Sequence, residues 1–426
     1  MNVQDLHSIF LEFPSVNTDT RKIKKNDIFF ALKGDNFNGN TYAQQAINNG
    51  ASYVIIDQEE YYINDKTILV EDTLVMLQKL AHYHRNFCSA KVISLTGSNG
   101  KTTTKELIHA VLARKYKTIA TVGNLNNHIG VPLTLLSIKP NTEIAIVEMG
   151  ANHQKEIQFL CEIAEPDFGF ITNFGKAHLE GFGGVEGVIK GKSELYEYLI
   201  KSKKSIFLNA DDPIQLEKLK NYTKKYGFSS INSKYYKIEL EDAQPFVIIK
   251  VEDTVIKSNL IGAYNFHNCC AAIIMGKFFN VELPEIKIAL EKYTPENNRS
   301  QIIKKNGHYI ILDAYNANPS SMKVAIENFN SLEKTNKVLI LGDMFELGNS
   351  AEEEHQAITG LTKTLLFENV LFVGENFYRT QTSSIKLKNF EELKAYLSQN
   401  NLPANSSLLI KGSRGMALER ALEYIQ

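Results

Sequence analysis

Residues 92–112 read VISLTGSNGKTTTKELIHAVL. Val92 to Leu95 run without polar alternation, as a strand buried on both faces does. A glycine turn follows, Thr96-Gly97-Ser98-Asn99-Gly100-Lys101-Thr102. Beyond it Leu107, Ile108, Val111 and Leu112 fall on one helical face, which predicts a helix over 102–112. A strand, a glycine turn and a helix in that order make a cradle for phosphate. Glycines let backbone N–H groups close around the anion, the helix start adds its positive end, and Lys101 neutralises charge on the terminal phosphates. Thr102 offers a hydroxyl to magnesium. Gly97, Ser98, Asn99, Gly100, Lys101, Thr102 and Thr103 are therefore the expected nucleotide contacts. The loop is shorter than G-x-x-x-x-G-K-[ST], because Leu95 stands where the first glycine would be.

Outward from this loop the pattern repeats. Ile144 to Val147, Phe168 to Thr172 and Ser205 to Leu208 are further short apolar runs, and strand-then-helix alternation over 86–299 predicts a doubly wound, mostly parallel sheet. Glu148 follows one of these runs at the carboxyl edge, where open α/β sheets bind ligands. Before this region, residues 1–85 alternate short apolar runs (Ile28 to Leu32, Tyr53 to Ile56) with helix-like segments such as Thr41 to Asn49, a small α/β unit. After it, residues 300–426 restart the alternation with strands at Tyr309 to Leu312, Lys337 to Leu341, Val370 to Val373 and Ser407 to Ile410, a Rossmann-like α/β domain ending in a helix from about Met416. Tyr293 to Asn298 (YTPENN) has the proline and turn formers of a hinge. The expected fold is α/β in three domains.

The size agrees, since 426 residues exceed one ordinary core. Hydrophobic residues at 43% and charged residues at 22% give the balance of a soluble globular chain. A formal net charge of -1 argues against a nucleic-acid binder or an electrostatic membrane lure. No run of about 18 apolar residues is present to span a membrane. Met1 to Ser15 lacks the layout of a signal peptide. Cys88, Cys161, Cys269 and Cys270 form no C-x-x-C pair and read as small buried side chains in a reducing compartment. The expectation is a cytoplasmic protein acting as a monomer.

A longer series of motifs runs with the loop: GNLNNHIGVP from Gly123, VEMGANH from Val147, AHLEGFG from Ala177, NADD from Asn209 and GAYNFHN from Gly262. DAYNANP from Asp313, Gly342-Asp343-Met344 with Glu346-Leu347-Gly348, and Lys411-Gly412-Ser413-Arg414 complete it. In this order they resemble the Mur ligases, whose short phosphate loop the folylpolyglutamate synthetases share. The set GANH, AHLEGFG, YNANP and KGSR is similar to the branch that adds D-alanyl-D-alanine, and the Asp-Asn-Pro-Arg run of the diaminopimelate-adding branch is absent.

The resemblance implies an ATP-dependent ligase of peptidoglycan precursor synthesis. The γ-phosphoryl group would pass to the terminal carboxylate of a UDP-MurNAc-tripeptide, and the amine of D-Ala-D-Ala would attack the acyl phosphate. It implies two magnesium ions, with Thr102, Glu148, His178 and Lys192 as ligands and Lys192 carbamylated so that an ammonium becomes an oxygen donor. Without the family, His178 reads equally as a turn histidine, and Lys192, like Lys190, as a surface lysine. Asn268 resembles an adenine reader, Arg299 a joint arginine reaching the phosphates, and Asp313 a ribose contact. Asn126 and Asn127 would face the tripeptide carboxylate or its phosphate. Asn316 and Asn318, otherwise plain Asx-turn residues, would help bind dipeptide or nucleotide, and Lys411 and Arg414 would meet a carboxylate. Thr20, Lys33 and Asn36 lie in stretches resembling the uridine-nucleotide region, although relatives usually have Ser at the position of Thr20 and Asp-Gly-His where Asn38-Gly39-Asn40 stands. A folate- or cyanophycin-type ligase would share the loop without the YNANP and KGSR pair. A switch or transport ATPase would leave the series unexplained.

Overall fold

A computed structural model describes residues 1–295 and 298–425, and it is α/β throughout. The middle of the expected hinge, residues 296 and 297, lies outside the described residues. The phosphate-loop region is built as read: Lys91–Thr96 is a strand buried after its first residue, and Lys101–Leu112 is a helix. That strand lies inside an all-parallel sheet, between Phe168–Ile171 and Ile144–Glu148. On one side the sheet continues through Ser205–Asn209 and Lys225–Ser229 to the short Tyr236–Lys237, and on the other it ends at Thr118–Ala120. Leu107, Ile108, Val111 and Leu112 are fully buried in one apolar cluster with Cys269, Ala272 and Ile273 of the helix Tyr264–Phe278. The cluster also holds Ile93 and Leu95, so it packs the helix after the loop against the strand before it.

The N-terminal unit is a four-stranded parallel sheet in the order Val16–Asn17, Ile28–Phe30, Tyr53–Ile56, Thr67–Leu69. Its helix Thr73–Phe87 is strapped to the central unit by Arg85, which donates to the carbonyls of Ala164 and Glu165 and to Asp167 at 2.9 Å. The C-terminal sheet runs Gln301–Lys305, His308–Asp313, Ser407–Lys411, Lys337–Gly342, Asn369–Val373, Ile385–Leu387, parallel except for its first pair.

Two expectations are corrected. Strand–helix alternation breaks at Glu239–Ile261, where three antiparallel strands form a separate small sheet. Val247, Ile249 and Val251 are buried while their neighbours are less so, the two-residue period of a one-sided strand and not a helix-flanked one. The chain also does not close on an α-helix from Met416. Ala417 takes a left-handed backbone (φ 46°), and Leu418–Tyr424 winds as a tighter 3-10 helix. Among the described residues no helix is long and apolar enough to cross a membrane, and all four cysteines are free.

Candidate active site

The carboxyl ends of the central strands open into a cavity of ≈ 850 Å³ that the C-terminal unit closes from the far side. Its floor is the loop. Gly97 (φ 145°) and Gly100 (φ 77°) hold backbone that a side chain resists. A Cβ on Gly97 would stand 2.0 Å from Thr172 Oγ1, and one on Gly100 2.7 Å from Asn268 Oδ1. The Asn99 N–H donates to Asn173 Oδ1 at 3.0 Å, and Ser98 Oγ donates to the Gly175 carbonyl at 2.8 Å. The next strand of the sheet thus holds the loop. Lys101 is folded back, donating to the Gly97 carbonyl at 2.7 Å. Burial pushes its ammonium below the ordinary value, Glu148 pulls it back up, and Arg299 adds to the lowering.

Glu148 is the last residue of its strand and is buried. Its Oε1 accepts from Asn126 Nδ2 at 2.8 Å and from the Thr102 hydroxyl at 3.3 Å. Its Oε2 is buried with no hydrogen-bond partner among the described residues. A buried, half-satisfied carboxylate beside a hydroxyl is a hard-oxygen donor set, which fits magnesium completed by phosphate and water. Among the described residues no cluster of three or more His, Cys, Asp or Glu forms a dedicated metal cage.

Ser98, Asn99, Gly100, Lys101, Thr102, Thr103, Asn126, Asn127, Glu148, His178, Asn268, Arg299, Asp313, Asn316, Asn318 and Lys411 all line this cavity. Several of them also bond to other parts of the protein. Asn126 orients Glu148, and Asn127 Oδ1 accepts from the N–H groups of Ile129 and Gly130. The Asn268 amide is held by Thr104 at 3.0 Å and Asn265 at 2.8 Å. His178, left-handed at φ 52°, joins Glu346 of the C-terminal unit through Nδ1. Asn318 caps the helix Pro319–Ser331 and donates to Asn99 Oδ1 at 2.7 Å, so an Asx cap and a loop contact coincide in one residue. Asp313 and Lys411 end neighbouring parallel strands in register and pair at 2.6 Å. The Arg299 guanidinium lies 3.8 Å from the centre of the Tyr315 ring.

Lys192 is not a surface lysine. It is fully buried behind the cavity wall, donates to the Ala151 carbonyl at 3.1 Å and lies over the Phe182 ring. Burial pushes its amine well below the usual lysine value, and Lys101 adds to this. Arg414 is exposed, pairs with Glu419 at 2.7 Å and lies outside the cavity lining. Thr20, Lys33 and Asn36 are on the N-terminal unit, also away from the cavity lining, where Lys33 pairs with Asp57 at 3.1 Å. Asn40 is buried and donates to the same aspartate at 2.8 Å.

Three family descriptions match the chain in order: Mur ligase family, catalytic domain, over residues 12–85; Mur ligase middle domain, over 95–276; and Mur ligase, glutamate ligase domain, over 298–415. A UDP-N-acetylmuramoyl-tripeptide--D-alanyl-D-alanine ligase of Bacillus subtilis is 36% identical, with 96% of this chain and 92% of that relative covered. The chain belongs to the Mur ligase family. Among solved structures this Mur ligase resembles MurF from Acinetobacter baumannii, with a TM-score of 0.85, 30% identity and 96% and 92% of the two chains covered. It also resembles the MurF ligase from Thermotoga maritima in complex with ADP, with a TM-score of 0.84, 27% identity and 97% of each chain covered. Sequence reasoning did not single out Lys105 as a site residue of this Mur ligase. It is buried 3.9 Å from Glu148 Oε2. Its place one helical turn after Lys101, on the same face, was the available signal.

Proposed function

We propose that this Mur ligase joins the terminal carboxylate of a UDP-N-acetylmuramoyl-tripeptide to the amine of D-alanyl-D-alanine, with ATP converted to ADP and phosphate. One observation carries the reading: a phosphate loop and a half-satisfied buried carboxylate, Glu148, face one cavity that residues of a second unit close. Both reacting groups are anions, so the site must first offset their repulsion. Lys101 leaves the Gly97 carbonyl for the β- and γ-phosphates, and the loop N–H groups and helix start hold the chain of phosphates. Bound magnesium would supply the remaining positive charge. Thr102 and Glu148 would hold one ion, and His178 with carbamylated Lys192 a second. Burial of the Lys192 amine lowers the cost of its neutral form, the one that adds carbon dioxide and releases a proton. Labelled bicarbonate should then give a carbamate carbon signal that Lys192→Met lacks.

The tripeptide carboxylate attacks the γ-phosphorus, the bond to ADP breaks, and an acyl phosphate forms. The dipeptide amine then attacks the acyl carbon and phosphate leaves with one oxygen of the former carboxylate. Water must be kept out meanwhile. Asn268, Arg299 and Asp313 are assigned to the nucleotide, and Asn126, Asn127, Asn316, Asn318, Lys411 and Arg414 to substrate binding. Thr20, Lys33 and Asn36 are assigned to the uridine nucleotide. The domains are taken as 1–85, 86–299 and 300–426, and one cytoplasmic chain is taken as the working unit. Mass spectrometry of the product from UDP-tripeptide, ATP and D-Ala-D-Ala tests this. A pentapeptide product is expected; turnover with folate and glutamate instead would overturn it.

A further inference from the structure

The two oxygens of Glu148 are treated unequally. Oε1 takes both hydrogen bonds, and Oε2 has none although it is buried. An ionised carboxylate so placed is costly without a cation nearby. That cation is Lys105, whose Nζ lies 3.9 Å from Oε2. The separation is too long for a hydrogen bond but short enough for strong attraction away from water. The Thr121 carbonyl holds Lys105 at this range by accepting from Nζ at 2.7 Å, and Thr121 Oγ1 accepts from the Glu148 N–H at 3.0 Å. One threonine therefore sets both partners. Lys105 Nζ also stands 3.9 Å from Glu106 Oε1, while Tyr293 bonds the other oxygen of Glu106. Lys105 is not part of the cavity lining, so a role in touching phosphate is left to Lys101.

We propose that Lys105 is the resident counter-cation of Glu148: it aims the carboxylate while leaving the lone pairs of Oε2 free, so a divalent cation enters with the nucleotide phosphates and not before them. This rests on Glu148 being a cation ligand. An ammonium so close repels a bare divalent ion, and phosphate oxygens arriving with the ion offset that repulsion. Lys105 is a positioning residue, acting through Glu148.

Manganese binding, followed by electron paramagnetic resonance with and without a non-hydrolysable ATP analogue, tests this on the full chain. Without nucleotide, Lys105→Met should bind manganese about tenfold or more tightly than the unaltered protein, and Lys105→Arg should not. Equal or weaker nucleotide-free binding by Lys105→Met would overturn the proposal. Glu148→Gln separates the underlying reading, because unchanged manganese affinity in the presence of the analogue would remove Glu148 as a ligand. If Lys105→Met folds poorly, thermal melts in two backgrounds decide. The substitution should lower Tm beside Glu148 and leave or raise it in Glu148→Gln, where the lysine has lost this partner. An equal loss in both backgrounds would mean a packing role and would overturn the proposal.

Discussion

Lys101 and Asp313 mark the two sides of the cavity and carry separable consequences. Lys101→Ala should leave the fold intact, since the side chain only caps its own loop, and should lower kcat/KM on the order of a thousandfold, the scale of losing one transition-state charge contact. Near-normal turnover would remove the lysine from phosphoryl transfer. Asp313 is held by Lys411 at 2.6 Å and by the Ser300 N–H at 3.1 Å. Asp313→Ala leaves that buried lysine uncompensated, so a rise in KM for ATP should come with a lower Tm; unchanged values of both would exclude it. At this scale the sequence was most informative where a side chain's chemistry is fixed by its loop, as at Lys101 and Thr102. It was least informative where the partner is distant in the chain. Nothing near His178 points to Glu346, and nothing near Lys192 tells that the amine is sealed behind Ala151.

At the scale of elements, the buried strands were legible because parallel strands lack polar alternation, and Lys91–Thr96, Ile144–Glu148 and Ser407–Lys411 fall where the apolar runs do. The antiparallel sheet over Glu239–Ile261 was not, because its alternation is short and sits among charged residues. Contacts between elements were also out of reach. The strut from the helix Thr73–Phe87 to the central sheet is one such case. Burial pushes the Asp167 carboxyl up, but the Lys204 and Val92 hydrogen bonds and Arg85 outweigh it and hold it below its usual value. A carboxyl lowered by folding stabilises above its unfolded value, and that contribution is lost as pH falls through the folded one. Asp167→Asn should therefore lose about 1–3 kcal/mol near neutral pH, with the gap from the unaltered chain closing in acid. Parallel stability curves at all pH values would contradict this.

Over the whole molecule, the three-unit organisation could be read from restarts of the strand–helix pattern, but the way the units meet could not. Across the cavity, the C-terminal unit reaches the central one through Asn318 to Asn99, Glu346 to His178, and Glu354 to Lys176. Buried apolar side chains of both units, Leu179 and Leu347 among them, also belong to one cluster, and a joint of this make-up can open and close around ligands. Small-angle scattering should show a smaller radius of gyration with ATP analogue and UDP-tripeptide than without, and superimposable profiles would argue against closure. In the proposed function two anions meet at Lys101 and Glu148, and a carboxylate is phosphorylated before it meets the amine. Heavy-oxygen label in the terminal carboxylate of the UDP-tripeptide tests it most directly, read by mass spectrometry of the released phosphate. One labelled oxygen should appear in the phosphate for each amide bond formed; unlabelled phosphate released alongside product would rule out the acyl phosphate.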